Sequence, residues 1–214
     1  MTAKDKSIED LKAIRQMMED SSKFLSLSGL SGVLAGIFAL IGAAYTYFFI
    51  MEGGKHYYNE YMISLTNKAT VEIRLSLLVV AFVVFVSALL SGIILSRKKA
   101  HKQGVKLWSN TAKKLCIEMA ASISIGGAFC MILIYHGELQ YVASATLIFY
   151  GLSLINIAKY THHDIKVLGY SEVILGLIAG IFLSYGILFW ALGFGLFHII
   201  YGIVMYLKYE RCAA

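Results

Sequence analysis

Long uninterrupted apolar runs are the feature that most restricts what this chain can fold into. Four of them cover residues 24–51, 73–96, 115–135 and 141–158, and a fifth covers 173–207. A helix needs roughly 20 apolar residues to cross the hydrocarbon core of a bilayer. Because 58% of the residues are hydrophobic and only 15% are charged, these runs predict an integral membrane protein rather than a soluble domain.

The fifth run is too long for one crossing. It holds 35 residues without a single Asp, Glu, Lys or Arg. As one straight helix it would be about 52 Å long, against a hydrocarbon core of about 30 Å. We therefore expect the chain to turn around Gly193 and Gly195, giving helices over 173–190 and 193–207. The predicted fold class is all-α, a polytopic bundle of six transmembrane helices over residues 24–207.

The basic residues predict the orientation of this bundle. Of the 19 Lys and Arg residues, 16 lie in segments 1–23, 97–114, 159–171 and 208–214. Lys and Arg collect in the cytoplasmic loops of membrane proteins. Both termini are therefore expected to be cytoplasmic, in a multi-pass protein of the cell membrane with 208–214 as a short tail. The same bias explains the net charge of +6, so nucleic-acid binding is not expected.

Residues 1–23 contain an amphipathic helical pattern. Ile8, Leu11, Ile14 and Met18 share one helical face. Such a helix either lies on the inner leaflet or docks a cytosolic protein partner. Both interpretations stay open on the sequence.

A second basic segment follows the second apolar run. Clusters of this kind suit anionic lipid headgroups, although the inside loops of membrane proteins are generally basic. The predicted headgroup contacts are Arg97, Lys98, Lys99, Lys102 and Lys106.

Two apolar runs contain nearly the same five-residue motif. "LAGIF" occupies 34–38 and "IAGIF" occupies 178–182, and Gly126 with Gly127 provides a weaker copy in the third run. The spacing is consistent with three helical hairpins in the same orientation. Small residues let helices approach closely in lipid. The phenylalanine that ends each motif is expected to fill the groove beside the glycine. The predicted packing positions are Gly29, Gly32, Gly36, Gly176 and Gly180.

The second, fourth and sixth predicted transmembrane helices share a second short motif. It reads "LSGII" at 90–94, "FYGLS" at 149–153 and "IYGIV" at 200–204. Together with the "AGIF" motifs, this arrangement of six transmembrane helices resembles the HdeD-like acid-resistance membrane proteins. The resemblance implies a role in stress protection and carries over no functional residue. The chain departs from that family in its long first external loop and its lack of proline.

Few polar side chains fall within the apolar runs. An ionisable residue in a span is a functional-site hypothesis by default. Glu118 and Asn156 are placed to hydrogen-bond across a hairpin, either as a structural link or as a proton or cation relay. His198 is the most deeply placed titratable residue. It either packs against a hydroxyl such as Tyr185 or Tyr201, senses protons, or binds a ligand or metal.

No enzymatic or metal-binding motif is found. In "HHD" at 162–164, adjacent helical residues point about 100° apart and do not converge on an ion. We therefore assign no catalytic residue, metal or cofactor. Three functions stay open: a structural or stress-related membrane protein, a transporter or channel for a small solute, ion or proton, and a sensor whose N-terminal helix binds a cytosolic regulator. Beyond the lipid bilayer, the candidate partners are a second copy of the chain and a cytosolic protein.

Overall fold

The computed structural model describes residues 28–53, 57–65, 71–104 and 108–210. Within these ranges every regular element is helical, so the predicted all-α class is confirmed. The predicted amphipathic helix over 1–23 and the predicted headgroup contact Lys106 lie outside the described residues.

Eight α-helices carry the described part of the chain. A π-helical turn, Thr46–Ile50, extends the first α-helix, and a longer π-helical segment, Ala191–Phe197, joins the last two. Short 3₁₀ turns at Leu139–Tyr141, Ala158–Tyr160 and Leu183–Tyr185 flank the other helices. The α-helices are α1 Gly29–Tyr45, α2 Tyr58–Ser64, α3 Val71–Lys102, α4 Asn110–Tyr135, α5 Val142–Ile157, α6 Asp164–Ile181, α7 Gly186–Trp190 and α8 His198–Tyr209.

Five helical segments of the described chain are long and apolar enough to cross a membrane. They are Gly29–Ile50, Val71–Lys102, Asn110–Tyr135, Leu139–Tyr160 and Leu183–Tyr209. The remaining long helix, α6, carries three charged residues, Asp164, Lys166 and Glu172, within its 18 residues. The chain is therefore an all-helical protein of membrane type.

The turn in the last apolar run is not where the sequence predicted it. Gly193 and Gly195 lie inside a stretch that stays helical from Gly186 to Tyr209. The chain reverses instead at Phe182, where the backbone leaves the helix with φ −102° and ψ 63°, and in the 3₁₀ turn that follows. The predicted helices over 173–190 and 193–207 are therefore wrong.

The reason for this difference is a buried polar residue. Our prediction started the fifth helix at 173 because Glu172 ended the uncharged run. In the structure α6 begins nine residues earlier, at Asp164, and Glu172 is enclosed in the middle of the helix. With α6 complete at Ile181, the chain turns before it reaches the two glycines.

Neighbouring helices run antiparallel. Along α1 and α8, Gly29 lies against Gly202 and Tyr206, whereas Gly36 lies against Gly195. Along α5 and α6, Gly151 lies against Gly169, and the Ser144 hydroxyl donates to the Gly176 carbonyl at 2.7 Å. The close approach at these glycines leaves no room for larger side chains.

One end of the bundle collects the basic residues, and we call it the basic end. Here α1, α4 and α6 begin and α3, α5 and α8 end. Ion pairs tie these termini together, for example Lys99 to Glu210 at 3.2 Å and Lys208 to Asp164 at 3.0 Å. Every Lys and Arg of the described residues except Arg74 lies at this end. We call the other end, covered by α2, the opposite end.

The helices do not pack as three equivalent hairpins. In the described chain, α4 packs on α5 and α3 packs on α1, but α6 packs chiefly on α5 and α8 chiefly on α1. The bundle therefore contains two closely packed helix pairs, α5–α6 and α1–α8. We refer to them by these names below.

The five predicted packing glycines lie against neighbouring helices. A Cβ added to Gly29 or Gly36 would come within 2.5 Å of the α8 or π-segment backbone, and one on Gly32 within 3.2 Å of Gly202. Gly176 and Gly180 face α5, where a Cβ would lie 2.7 Å from the Ile148 side chain and 3.0 Å from the Ser144 hydroxyl, respectively. Phe182 does not fill a groove as predicted, because it ends α6 at the turn and is 55% exposed.

Candidate functional site

A carboxylate lies in the interior of the bundle. Glu172 is at mid-length of α6, and its side chain is 0% exposed. Neither of its oxygens has a hydrogen-bond partner among the described residues. A buried charge is costly unless it is paired or neutralised, so this position needs an explanation beyond packing.

His198 brings an imidazole to the same point from the first residue of α8. Its Nδ1 lies 3.4 Å from Glu172 Oε1 and 3.0 Å from the carbonyl oxygen of Gly193. Because a carbonyl can only accept a hydrogen bond, Nδ1 carries the hydrogen. The imidazole therefore donates to Gly193 and presents its N–H side to the carboxylate.

Tyr150 of α5 completes the group. Its hydroxyl lies 2.8 Å from His198 Nε2. When the imidazole is neutral, the tyrosine donates to Nε2, and when the imidazole is charged, Nε2 donates to the tyrosine. We call Glu172, His198 and Tyr150 the buried triad. A hydroxyl was the expected partner of His198, but it is neither Tyr185, which is half exposed, nor Tyr201, whose hydroxyl has no hydrogen-bond partner among the described residues.

The π-helical segment makes room for the carboxylate. A Cβ on Gly193 would overlap Glu172 Oε2 and would lie 2.5 Å from Leu147. The absence of a side chain at Gly193 therefore lets α6 bring its carboxylate against the backbone that leads into His198. Departures from α-helical geometry of this kind are frequent at functional sites.

Aromatic rings enclose one side of the triad. Phe194 packs between Trp190 and Tyr150, with ring centroids 5.0 and 5.1 Å away, and its ring lies 6.0 Å from that of His198. This arrangement keeps water from the imidazole on that side. It strengthens any electrostatic interaction between His198 and Glu172, because the surroundings are of low polarity.

A second polar group lies at the basic end below the triad. Asp164 accepts hydrogen bonds from Tyr209 at 2.8 Å and from Lys208 at 3.0 Å. Partial burial alone would raise the pKa of Asp164, but these two hydrogen bonds and the Lys208 charge outweigh it and hold the pKa below its ordinary value of 3.8. The carboxylate is therefore ionised and joins α6 to α8.

The predicted link between Glu118 and Asn156 is present. The Asn156 amide donates to Glu118 Oε2 at 2.8 Å, and Lys159 lies 3.7 Å from Oε1. The Glu118 side chain is 39% exposed at the basic end. This geometry matches the structural alternative, a link between α4 and α5, and the link does not include His198.

The predicted headgroup contacts divide into two groups. Arg97, Lys98 and Lys102 line a groove of about 540 Å³ together with His101, and none of the four has an acidic partner among the described residues. Lys99 points elsewhere and pairs with Glu210, which also accepts the Gly29 backbone N–H at 2.6 Å. The charge of Lys99 is therefore compensated within the protein, and its contact with headgroups stays a prediction.

Sequence reasoning found one member of the triad and missed two. Glu172 lies eight residues after "HHD" and directly before the uncharged run 173–207, and hydropathy does not indicate a buried helix there, since α6 carries three charged residues in 18. Tyr150 was one tyrosine among 14. No three His, Cys, Asp or Glu side chains of the described chain converge as a metal site would require.

The class that the fold and the site define is an all-helical membrane-type protein with an ionisable pair in its core. Comparisons with protein-family models, curated proteins and solved structures find no match to this chain. The resemblance to the HdeD-like proteins therefore stays a prediction, and the function must be argued from the buried triad.

Proposed function

We propose that the chain crosses the cell membrane six times, with α6 as one of the crossings and both termini in the cytoplasm. The antiparallel order of the helices supports an even number of crossings. The 18 residues of α6 would extend about 27 Å, close to the thickness of the hydrocarbon core. The basic end would face the cytoplasm, as expected from the distribution of Lys and Arg.

We further propose that the protein is a proton-linked membrane transporter of a small solute or ion, with Glu172 as its proton-binding group. The observation that carries this proposal is the fully buried, unpartnered carboxylate 3.4 Å from an imidazole. A charged residue at the centre of a bilayer costs about 3 kcal/mol or more, and such residues mark ion and proton pathways.

The position of the triad links proton binding to helix movement. Glu172 belongs to the α5–α6 pair and His198 to the α1–α8 pair, and few contacts join α6 to α8 directly. A proton on Glu172 removes its negative charge and weakens its attraction to the His198 N–H, whereas loss of the proton restores that attraction. Protonation would therefore change how strongly the two helix pairs hold together, which is what alternating access between the two sides requires.

The alternative hypothesis of a structural membrane protein explains the contact between α1 and α8, but it does not explain the buried triad. Glycine contacts between α1 and α8 account for how those helices associate in lipid. They give no reason to bury a carboxylate at position 172. The stress protection implied by the HdeD-like resemblance is compatible with a proton-binding site. The sensor hypothesis depends on residues 1–23, which the structure does not describe.

The surrounding lipid is the proposed partner at the basic end. Arg97, Lys98 and Lys102 are exposed cations near the end of a helix whose exposed apolar side chains, such as Ile93 and Ile94, would lie in the acyl region. This arrangement favours anionic headgroups. A second copy of the chain stays a candidate partner.

The test is flux in proteoliposomes under an imposed pH gradient. We expect the wild type to move protons across the bilayer when its solute is present, with a panel of small ions and metabolites as trial solutes. Glu172→Gln should abolish this flux, because an amide cannot exchange a proton at neutral pH. Glu118→Gln makes the same chemical change at the exposed link and should leave flux intact.

Two outcomes would refute the transport proposal. One is proton flux that Glu172→Gln leaves unchanged. The other is the absence of flux for every trial solute, in wild-type protein whose folding is verified by thermal unfolding.

A further inference from the structure

The hydroxyl groups around the buried triad are distributed unequally between its two sides. Ser144 and Thr146 of α5 lie toward the opposite end, and their hydroxyls bond to backbone carbonyls at 2.7 and 2.8 Å. Ser153 of α5 and Tyr201 of α8 lie toward the basic end. Their hydroxyls are buried and have no hydrogen-bond partner among the described residues.

The side facing the opposite end is apolar next to the triad. Asn59 Oδ1 and Gln140 Oε1, which are buried without a hydrogen-bond partner in the described chain, lie farther away, in α2 and in the turn before α5. Leu147 and Leu175 lie one helical turn from the triad in that direction, and both side chains approach Gly193 beside the carboxylate. Beyond them, a buried cluster seals the bundle beneath α2, with the Tyr58 ring pressed on Gly186. The members of this cluster are Met51, Tyr58, Met62, Leu65, Leu139 and Ala143.

The side facing the basic end contains a series of polar groups. Tyr201 lies one helical turn beyond His198, and its hydroxyl is within electrostatic range of Tyr150, Asp164 and Tyr209. Asp164 precedes Glu172 by eight residues on α6, a rise of about 12 Å. Buried hydroxyls without partners are commonly satisfied by internal water, and a few such waters would bridge this distance.

From this asymmetry we infer that Glu172 exchanges its proton with the basic end alone. The relay starts at Asp164, passes through Tyr201, Ser153 and Tyr150, and reaches Glu172 through His198, which contacts both Tyr150 and the carboxylate. The inference rests on the proposed function, since it names the route to the proton site. Each hydroxyl gives up a proton as it receives another, and His198 accepts the Tyr150 proton on Nε2 as its Nδ1 proton passes to Glu172. The net change is one proton taken from water at the basic end and one carboxyl group formed at Glu172.

The titratable side chains around the proton site are few. The structure places His198 of α8 and Tyr150 of α5 within contact or electrostatic range of Glu172. Toward the basic end, Tyr201 comes next, followed by Asp164, Tyr209 and Lys208. The buried His162 lies beside this group, with its ring 4.1 Å from that of Tyr209 and within electrostatic range of Asp164. Asp164 is the first group of this series that reaches the basic end, and its hydrogen bonds join it to Tyr209 and Lys208.

The test uses a hydrophobic carbodiimide, which adds to a carboxyl group in a membrane interior only when that group is protonated. Full-length protein is placed in sealed vesicles of known orientation, and the pH is changed on one side at a time. Mass spectrometry then measures the adduct on Glu172. We expect the adduct to increase when the basic-end side is acidified and to stay constant when the opposite side is acidified.

Hydroxyl deletions test the route itself. Tyr201→Phe and Ser153→Ala should slow the response of the Glu172 adduct to a pH jump at the basic end by tenfold or more, without changing the final extent. Tyr58→Phe removes a buried hydroxyl group on the opposite side and is the matched control. Thermal unfolding of each variant shows whether it is folded.

Each outcome has a distinct meaning. An adduct that follows the pH of the opposite side, or of both sides equally, overturns the one-sided route. An unchanged response in both Tyr201→Phe and Ser153→Ala overturns the relay. If Glu172 forms no adduct at any pH, even with a protonophore equalising the two sides, the proposed proton site itself is refuted.

Discussion

Glu172 Oε1 and His198 Nδ1 lie 3.4 Å apart, yet their helices belong to two different closely packed pairs. The α5–α6 pair holds the carboxylate, and the α1–α8 pair holds the imidazole. The contact is therefore an electrostatic link between the two pairs, in addition to the Asp164–Lys208 ion pair at the basic end and the packing of Phe197 and Tyr201 against the α5–α6 pair. This relationship sets what the following substitutions should do.

Replacing the buried carboxylate by its amide should separate function from stability. Glu172→Gln keeps the shape of the side chain and removes its charge. We expect the melting temperature in detergent to stay the same or rise, because a functional buried charge is retained at a cost in stability. Proton-linked flux should be lost in the same variant. A large fall in melting temperature would indicate that the carboxylate is a structural element instead.

Adding a methyl group at Gly193 should destabilise the bundle. The new Cβ would overlap Glu172 Oε2 and crowd Leu147, and overpacking of this kind costs about 1–3 kcal/mol. Reversible unfolding in mixed detergent measures the change. Gly127→Ala is the control, since its Cβ would meet nothing within 4 Å and alanine favours the helix by up to about 1 kcal/mol. Equal effects of the two substitutions would contradict the close approach at Gly193.

A second glycine substitution tests the α1–α8 contact. In Gly202→Ala the Cβ would lie 2.5 Å from the Val33 nitrogen and 2.6 Å from the Gly29 carbonyl oxygen. Backbone atoms cannot move aside as a side-chain end can, so the two helices must separate. We expect a loss of stability of about 1–3 kcal/mol, measured against Gly92→Ala, whose Cβ would meet open space. Unchanged unfolding of Gly202→Ala would show that α1 does not pack there.

The ion pair at the basic end should make stability depend on pH. The pKa of Asp164 is lower in the folded protein than its ordinary value of 3.8, because hydrogen bonds from Tyr209 and Lys208 and the Lys208 charge outweigh its partial burial. A lowered pKa contributes stability that is complete above about pH 5 and is lost as the pH falls through the folded pKa. We expect Asp164→Asn to melt at a lower temperature than the wild type at pH 7.

The pH series provides the check on this prediction. The difference between the wild type and Asp164→Asn should shrink below about pH 4 and vanish once both carry a neutral side chain. In a Lys208→Met, Tyr209→Phe background the same substitution should have little effect at pH 7, since the partners of Asp164 are gone. A difference that stays constant from pH 7 to pH 3 would contradict the role of Asp164 as an ionised partner.

Several elements could be predicted from local patterns. The apolar runs over 73–96 and 115–135 lie within α3 and α4, which the structure extends by six and five residues at the basic end. The Glu118–Asn156 hydrogen bond followed from their depths on adjacent runs. These predictions depend on hydropathy and spacing along the chain, which the sequence contains directly.

Other features of the structure could not be predicted from such local patterns. The turn at Phe182 depends on where α6 begins, and α6 begins early because the bundle encloses a charged residue that hydropathy assigns to a loop. The partner of His198 comes from α5, at a separation of 48 residues. A sequence shows how apolar a segment is, but it does not show which helix lies beside it.

The sequence by itself determined that this is an all-helical protein built from membrane-type helices, with its basic residues gathered at one end and glycines where helices can approach. Only the tertiary structure decided that α6 pairs with α5 and α8 with α1, and so brought Glu172 against His198. The physical reason is that helix formation and lipid solubility follow from local composition. The meeting of two ionisable groups, in contrast, depends on helix pairing across the whole bundle.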